Sequence, residues 1–275
     1  MNTSPIFINY FKSILTPKRA FNDRKQLSWL QIIIVFFILT LLMVIPVYNY
    51  YSAIDVFSIR DFYPNTVLLI DEETIDVLKS SEFSNGNILL EGESYSRESA
   101  NGLIGIGIES NQFPTIEEDE NALLFGTESI LISDENGSSE IISYPLNHSL
   151  GLVADQEQLV SELSQLYTNQ NGSSIAWTFT LVIYLFIVLA FLFMVFVYAY
   201  LIYLLKDFTL SSIMNYREAV NLILNLMGIP TIVALVYGFI RFNVITMLAI
   251  QIIGLILLLV ILYRQTKFQD EYLEE

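Results

Sequence analysis

The sequence predicts an α-helical membrane protein with four transmembrane helices and an extracytoplasmic α+β domain inserted between helices 1 and 2. Three observations predict it. Trp177 to Leu205 contains no charged side chain, and as a helix rising about 1.5 Å per residue it exceeds the hydrocarbon thickness of a bilayer. Apolar residues make up 53% of the chain against 15% charged, a membrane-protein balance. The net charge of -16 is unevenly placed: residues 51–174 carry 22 Asp/Glu against Arg60, Lys79 and Arg97, while the rest of the chain is slightly basic.

In chain order, residues 1–28 read as a cytoplasmic amphipathic and basic segment. Ile6, Phe7, Tyr10, Phe11, Ile14 and Leu15 recur at helical spacing. Lys12, Lys18, Arg19, Arg24 and Lys25 accompany them, a set suited to contact with an anionic inner leaflet. The same charges also fix topology, and the two roles are compatible. Thr16-Pro17 reads as N-cap and first helical position, dividing the segment into two short helices.

Residues 29–50 form the first span. Its apolar run is too long for a signal-peptide core, and IPVYNYYSA offers no small-residue cleavage site, so a signal anchor is expected. Residues 51–174 form the acidic domain, and 175–205 the second span. A cytoplasmic connection at 206–218, expected to rest on the inner surface, leads to spans at 219–240 and 242–263 and a cytoplasmic tail at 264–275. Nine basic residues in the short segments on one side oppose Arg241 on the other, which places both termini in the cytoplasm of a bacterial plasma membrane.

Within the acidic domain, short apolar runs between turn residues read as strands: Val67 to Ile70, Ile88 to Leu90, Leu103 to Ile108, Ala122 to Phe125, Ile130 to Ile132 and Ile141 to Tyr144. Asp134-Glu135-Asn136-Gly137 predicts a hairpin turn. Glu72 to Ser80 predicts a short helix. A second starts at Asp155 as N-cap and ends before a polar linker at Asn169 to Ser174.

Candidate functional positions lie in the spans. Asn221, Asn225 and Gln251 are amides in apolar surroundings, and Gly228 and Pro230 interrupt the third span. Such residues mark helix–helix contacts or line a solute path; the absence of ionisable groups in mid-span favours the first. Cysteine is absent and His148 is the single histidine, which disfavours thiol chemistry, a histidine-built metal site and a Ser/His/Asp relay. Gly102 to Gly107 lacks GxGxxG spacing, so a bulge or close backbone packing is expected there. Glu117 to Glu120 could attract calcium or a cationic partner, but four consecutive acids read first as a solvated loop. No phosphate-binding motif and no basic nucleic-acid patch is present. The expectation is a protein without enzymatic activity, cofactor or nucleic-acid partner.

Four stretches carry a resemblance: FKSILTPKRAF, GLIGIGIES, ALLFGTESILISDENGSSEIISYPL and NYREAVNLILNLMGIP. In these, and in the order of its parts, the chain resembles a family of Gram-positive bacterial membrane proteins of unknown function labelled for maltodextrin utilisation. The resemblance implies a plasma-membrane protein associated with oligosaccharide uptake, with a sugar ABC transporter or another membrane protein as partner. It supplies no catalytic residues.

Overall fold

The computed structural model describes residues 6–84, 87–90, 94–99, 101–117, 119–145, 153–207 and 211–273. It divides into two compact units, one of residues 1–53 with 176–275 and one of Ile54–Ile175.

The first unit is helical. Helices α1 (Ile6–Ser13) and α2 (Pro17–Asn22) precede α3 (Trp29–Ser52). Thr16 caps α2 by accepting the Arg19 amide, with Pro17 in the first turn as expected. The Ser28 and Gln31 side chains form a capping box at the start of α3. Further along come the C-terminal part of α5 (Gln156–Leu204), α6 (Tyr216–Ile240, capped by Asn215) and α7 (Val244–Thr266, capped by Asn243). The polar caps lie outside a hydropathy window, so α6 begins three residues earlier than the apolar run suggests.

Helices α3, α5, α6 and α7 are long and apolar enough to cross a membrane. Their exposed faces are themselves apolar: Leu30, Ile33 and Phe37 on α3, Leu181, Leu185 and Leu189 on α5, Ile253 and Leu257 on α7. Such faces are compatible with lipid as solvent and costly in water. Helix α6 is the exception, buried along most of its length between α3 and α7. Small residues let the helices approach closely. A Cβ on Gly238 would lie 2.8 Å from Pro46 of α3, and one on Gly254 2.9 Å from Pro230. Aromatic rings gather at one end, where Tyr50 stacks on Phe242 at 4.3 Å, Tyr51 on Phe179 at 5.2 Å, and Tyr48 meets Trp177 at 4.6 Å.

The second unit is a small α+β domain. Strands β3 (Tyr95–Ser99), β4 (Gly102–Ile108), β5 (Ala122–Gly126), β6 (Ser129–Asp134) and β7 (Ser138–Ser143) form one sheet in that order; β4 and β5 run parallel and the other pairs antiparallel. A separate hairpin pairs β1 (Glu82–Ser84) with β2 (Asn87–Leu89). Residue alternation splits the central strands between two covered faces. Ile104, Ile106, Leu123, Phe125, Ile130 and Ile132 are in register on one, and Ala122, Leu124 and Leu131 pack with Leu103 and Phe113 on the other. Helix α4 (Glu72–Ser80) and the start of α5 bury Leu78, Leu159 and Leu163.

The β6–β7 turn is a three-residue loop closed by Gly137 N to Asp134 O at 3.0 Å, with Gly137 at φ +83°. Gly107, at φ +76°, sits where the β4–β5 register shifts between Ile106 and Ile108, the bulge its glycines suggested.

Two sequence expectations are corrected. Thr66–Leu69 is a 3-10 turn and not a strand. The amides of Asn65 and Thr66 donate to the Asp134 carboxylate at 2.8 and 3.0 Å, so the segment is tied across the sheet and cannot pair along it. Residues Asn169 to Ser174 are not a linker, because α5 is helical through them. Extending an existing helix avoids a second nucleation cost, which offsets the poor propensity of Asn171 and Gly172. Gln170 and Asn171 also donate to Glu140 of β7 at 3.1 and 2.7 Å.

Candidate functional site

The polar groups of the helical unit converge around the Tyr216 end of α6. The sequence sets this up locally: α2 closes into a single 3-10 turn at Asp23–Lys25, and that turn carries Arg24 inward. Arg24 is 2% exposed. Its Nη1 donates to Phe21 O at 2.9 Å, and its Nη2 to Ser212 O at 3.1 Å and to the Asp270 carboxylate at 2.8 Å. The guanidinium carbon lies 4.1 Å from the centre of the Phe21 ring, and Nε is 3.6 Å from Glu218 Oε2.

Glu218 is itself buried, and its position follows from capping. Asn215 Oδ1 accepts the Glu218 amide at 3.1 Å, while the Glu218 carboxylate accepts from Met214 N at 3.1 Å and Asn215 Nδ2 at 2.9 Å. The C-terminal segment completes the cluster. Lys267 and Phe268 adopt positive φ, turning the chain back so that Phe268 O accepts from Ser212 N at 2.7 Å and Asp270 N donates to Ser212 Oγ at 2.9 Å.

Two of the three predicted amides belong to the same arrangement. Asn221 Nδ2 donates to Arg24 O at 2.7 Å, and Asn225 Nδ2 to Ala20 O at 3.3 Å. Tyr10 Oη donates to Leu224 O at 3.0 Å, and a Cβ on Gly228 would lie 2.6 Å from Ile14. Gln251 stands apart from Arg24 and donates from Nε2 to Thr231 Oγ1 at 3.1 Å. Pro230 faces Gly254 of α7.

The basic residues expected to share one role divide. Arg19 and Lys25 are about half exposed, Lys12 is exposed and Lys18 is half-buried, whereas Arg24 is enclosed by protein. The physical reason is its two carboxylate partners, since a buried cation needs compensation that a headgroup layer would otherwise supply. The α1 stripe divides as well: Tyr10 and Ile14 are buried and Phe11 and Leu15 exposed, while the side chains of Ile6 and Phe7 lie outside the described residues. The connection before α6 does not simply rest on a surface, because Ile213 is buried and Ser212 is fastened to the C-terminal segment.

Sequence reasoning missed Glu218, Ser212 and Asp270. Asn215 followed by Glu218 before an apolar run was a usable capping-box signal; nothing in the sequence marked Asp270. Chemically, the cluster is a buried cation held by two carboxylates and backbone carbonyls. Among the described residues no three His, Cys, Asp or Glu could hold a metal ion.

In the α+β domain, Asp119 and Glu120 line an open cleft with Glu98 and Glu135; Glu118 and His148 lie outside the described residues. Burial pushes the Asp71 carboxyl up, but donors from Arg97 and from the Thr74 backbone and hydroxyl outweigh it and hold the carboxyl at about 2. Burial likewise raises Asp134, yet hydrogen bonds from Thr66, Asn65 and Asn136 leave it below the usual carboxylate range.

No family model matches the chain, and no solved structure matches it. Two curated proteins do. The maltodextrose utilization protein MalA of Streptococcus pneumoniae is 25% identical over 267 residues, covering 97% of each chain. YvdJ of Bacillus subtilis, whose name assigns it provisionally to maltodextrin utilization, is 23% identical over 276 residues, covering 96% of this chain and 91% of the relative. With the relationship running through both units and not one segment, the chain is a homologue, at modest identity over nearly its full length, of Gram-positive bacterial proteins named for maltodextrin utilization.

Proposed function

We propose that the chain is a non-enzymatic accessory or sensory integral membrane protein of maltodextrin uptake, with an external α+β domain that binds a partner or ligand. Both termini and the Arg24 cluster lie at the cytoplasmic face, consistent with the nine basic residues on that side. The four spans dock on another membrane component, a sugar ABC transporter being the partner that fits the names of the relatives.

One observation carries this reading. The NH2 groups of Asn221, Asn225 and Gln251 are taken up by Arg24 O, Ala20 O and Thr231 Oγ1, so the amides of the spans hold the chain to itself. A second reading, that α6 and α7 line a solute path, is favoured by a different observation. Asn221 Oδ1 and Gln251 Oε1 are buried without a hydrogen-bond partner among the described residues.

The near-isosteric Gln251→Met substitution separates the two. Labelled maltodextrin uptake, normalised to the amount of folded protein in the membrane, stays at the wild-type level under the accessory reading. Loss of uptake at normal membrane abundance would transfer the assignment to the transport reading. Under the accessory reading, cross-linking in native membranes should recover a second membrane protein.

A further inference from the structure

An apolar groove of about 290 Å3 opens among Ile32, Ile33, Phe36, Leu192, Phe196 and Leu224, with no polar surface in its lining. All its walls belong to the helical unit. Ile32 lies three residues after the start of α3 and Val220, another wall residue, four after the start of α6, so the groove begins roughly 5 Å inside the helix ends at 1.5 Å per residue. It therefore spans part of one leaflet.

Two basic residues lie beyond the groove toward the helix ends. Arg217, Val220 and Leu224 follow the i, i+3, i+7 spacing that shares one face of α6, so Arg217 continues the groove wall toward the helix start. A line of aromatic contacts leads from the groove to a second cation. The Tyr216 hydroxyl donates to Phe196 O at 3.1 Å, and its ring stacks on Phe196 and meets Tyr203 edge-on at 6.0 Å. Lys206 Nζ lies over the Tyr203 ring at 3.8 Å and donates to its hydroxyl.

We infer that this groove binds a phospholipid with an anionic headgroup, one acyl chain lying along the apolar walls and the phosphate meeting Arg217 and Lys206. Charge complementarity selects the occupant. The walls accept only hydrocarbon, and a zwitterionic lipid would gain less from two cations beyond the groove. Tyr203 and Tyr216 hold the chain of contacts between the two parts, ordering the headgroup region against the groove. The inference rests on the membrane reading above, but not on which leaflet this end faces.

The test uses the purified full-length chain, delipidated in detergent and titrated with dioleoyl phosphatidylglycerol or dioleoyl phosphatidylcholine, with retained lipid counted by native mass spectrometry. Each basic residue is expected to contribute about fivefold, so phosphatidylglycerol is preferred over phosphatidylcholine by roughly twenty-five-fold. Arg217→Gln with Lys206→Gln brings the two lipids to near parity, and Val188→Trp, at a further wall residue of α5, fills the groove and lowers retention of both. Ile33→Trp, at an exposed wall position, repeats the block should the Val188 variant unfold. Equal retention of both lipids by the wild type, preference surviving the double glutamine variant, or undiminished retention in a folded tryptophan variant would each overturn the site. Carbonate extraction, which leaves an integral protein in the membrane pellet, tests the membrane reading separately.

Discussion

Asp134 shows how a single side chain sets the architecture around it. Its carboxylate accepts from Asn65 N, Asn65 Nδ2, Thr66 N and Thr66 Oγ1, with no net burial of an unpaired charge. Asp134→Asn keeps the shape but replaces one acceptor oxygen with a donor, at an expected cost of about 2 kcal/mol. The pH dependence follows from the sign of the shift. Because the folded carboxyls of Asp134 and Asp71 lie below their ordinary value, their stabilisation is complete above about pH 4. It is lost as pH falls through the folded values, toward about 2 for Asp71. Denaturation midpoints of the full chain should therefore fall below pH 4, and the gap between wild type and Asp134→Asn should narrow there. A gap that stays constant down to pH 2 would show that the charge of Asp134 is not what is being lost.

Helix α6 is held by contacts that depend on glycine. At Gly228 the gain in helix propensity from alanine, about 1 kcal/mol, opposes an overpacking cost of about 1–3 kcal/mol, and overpacking wins because the new methyl meets the stiff, β-branched Ile14. Gly228→Ala should loosen α1, weakening the Tyr10 to Leu224 bond and speeding proteolysis of the N-terminal segment. In an Ile14→Ala background the same substitution should cost little, a coupling that a double-mutant cycle reads directly. Equal effects in both backgrounds would mean the clash is relieved elsewhere. Helix α2 was readable from Thr16-Pro17, because caps are local chemistry, and α4 was expected over Glu72 to Ser80 without its Asp71 cap. The Thr66–Leu69 turn was not, since its apolar residues satisfy a strand pattern and only Asp134, far along the chain, decides otherwise.

For the whole molecule the decisive quantity is orientation. The cysteine-free sequence gives a clean background for labelling. Cysteine at Ser139, exposed on β7, should react in intact cells with a membrane-impermeant reagent, and cysteine at the exposed Lys12 only after permeabilisation. The reverse pattern would invert the topology and move the α+β domain inside the cell. The buried Arg24 still belongs to the basic set that argues for this orientation, because its pairing with Asp270 and Glu218 is made in the folded protein and the bias counts Lys and Arg near the spans.

The sequence by itself determined the four apolar helices, the acidic α+β segment and the Asn136-Gly137 turn, because hydropathy, charge and turn geometry act over a few residues, while it left the glycines of β4 between a bulge and close packing. Asn221, Asn225 and Gln251 were legible as exceptional, but what they bond was not. Only the tertiary structure decided that Arg24 leaves the basic surface set, that Ser212 and Asp270 join it, and that α6 is enclosed by its own chain's ends. These are pairings across roughly two hundred residues of sequence. A buried cation takes whichever carboxylates the fold brings within reach, and no local pattern encodes that choice.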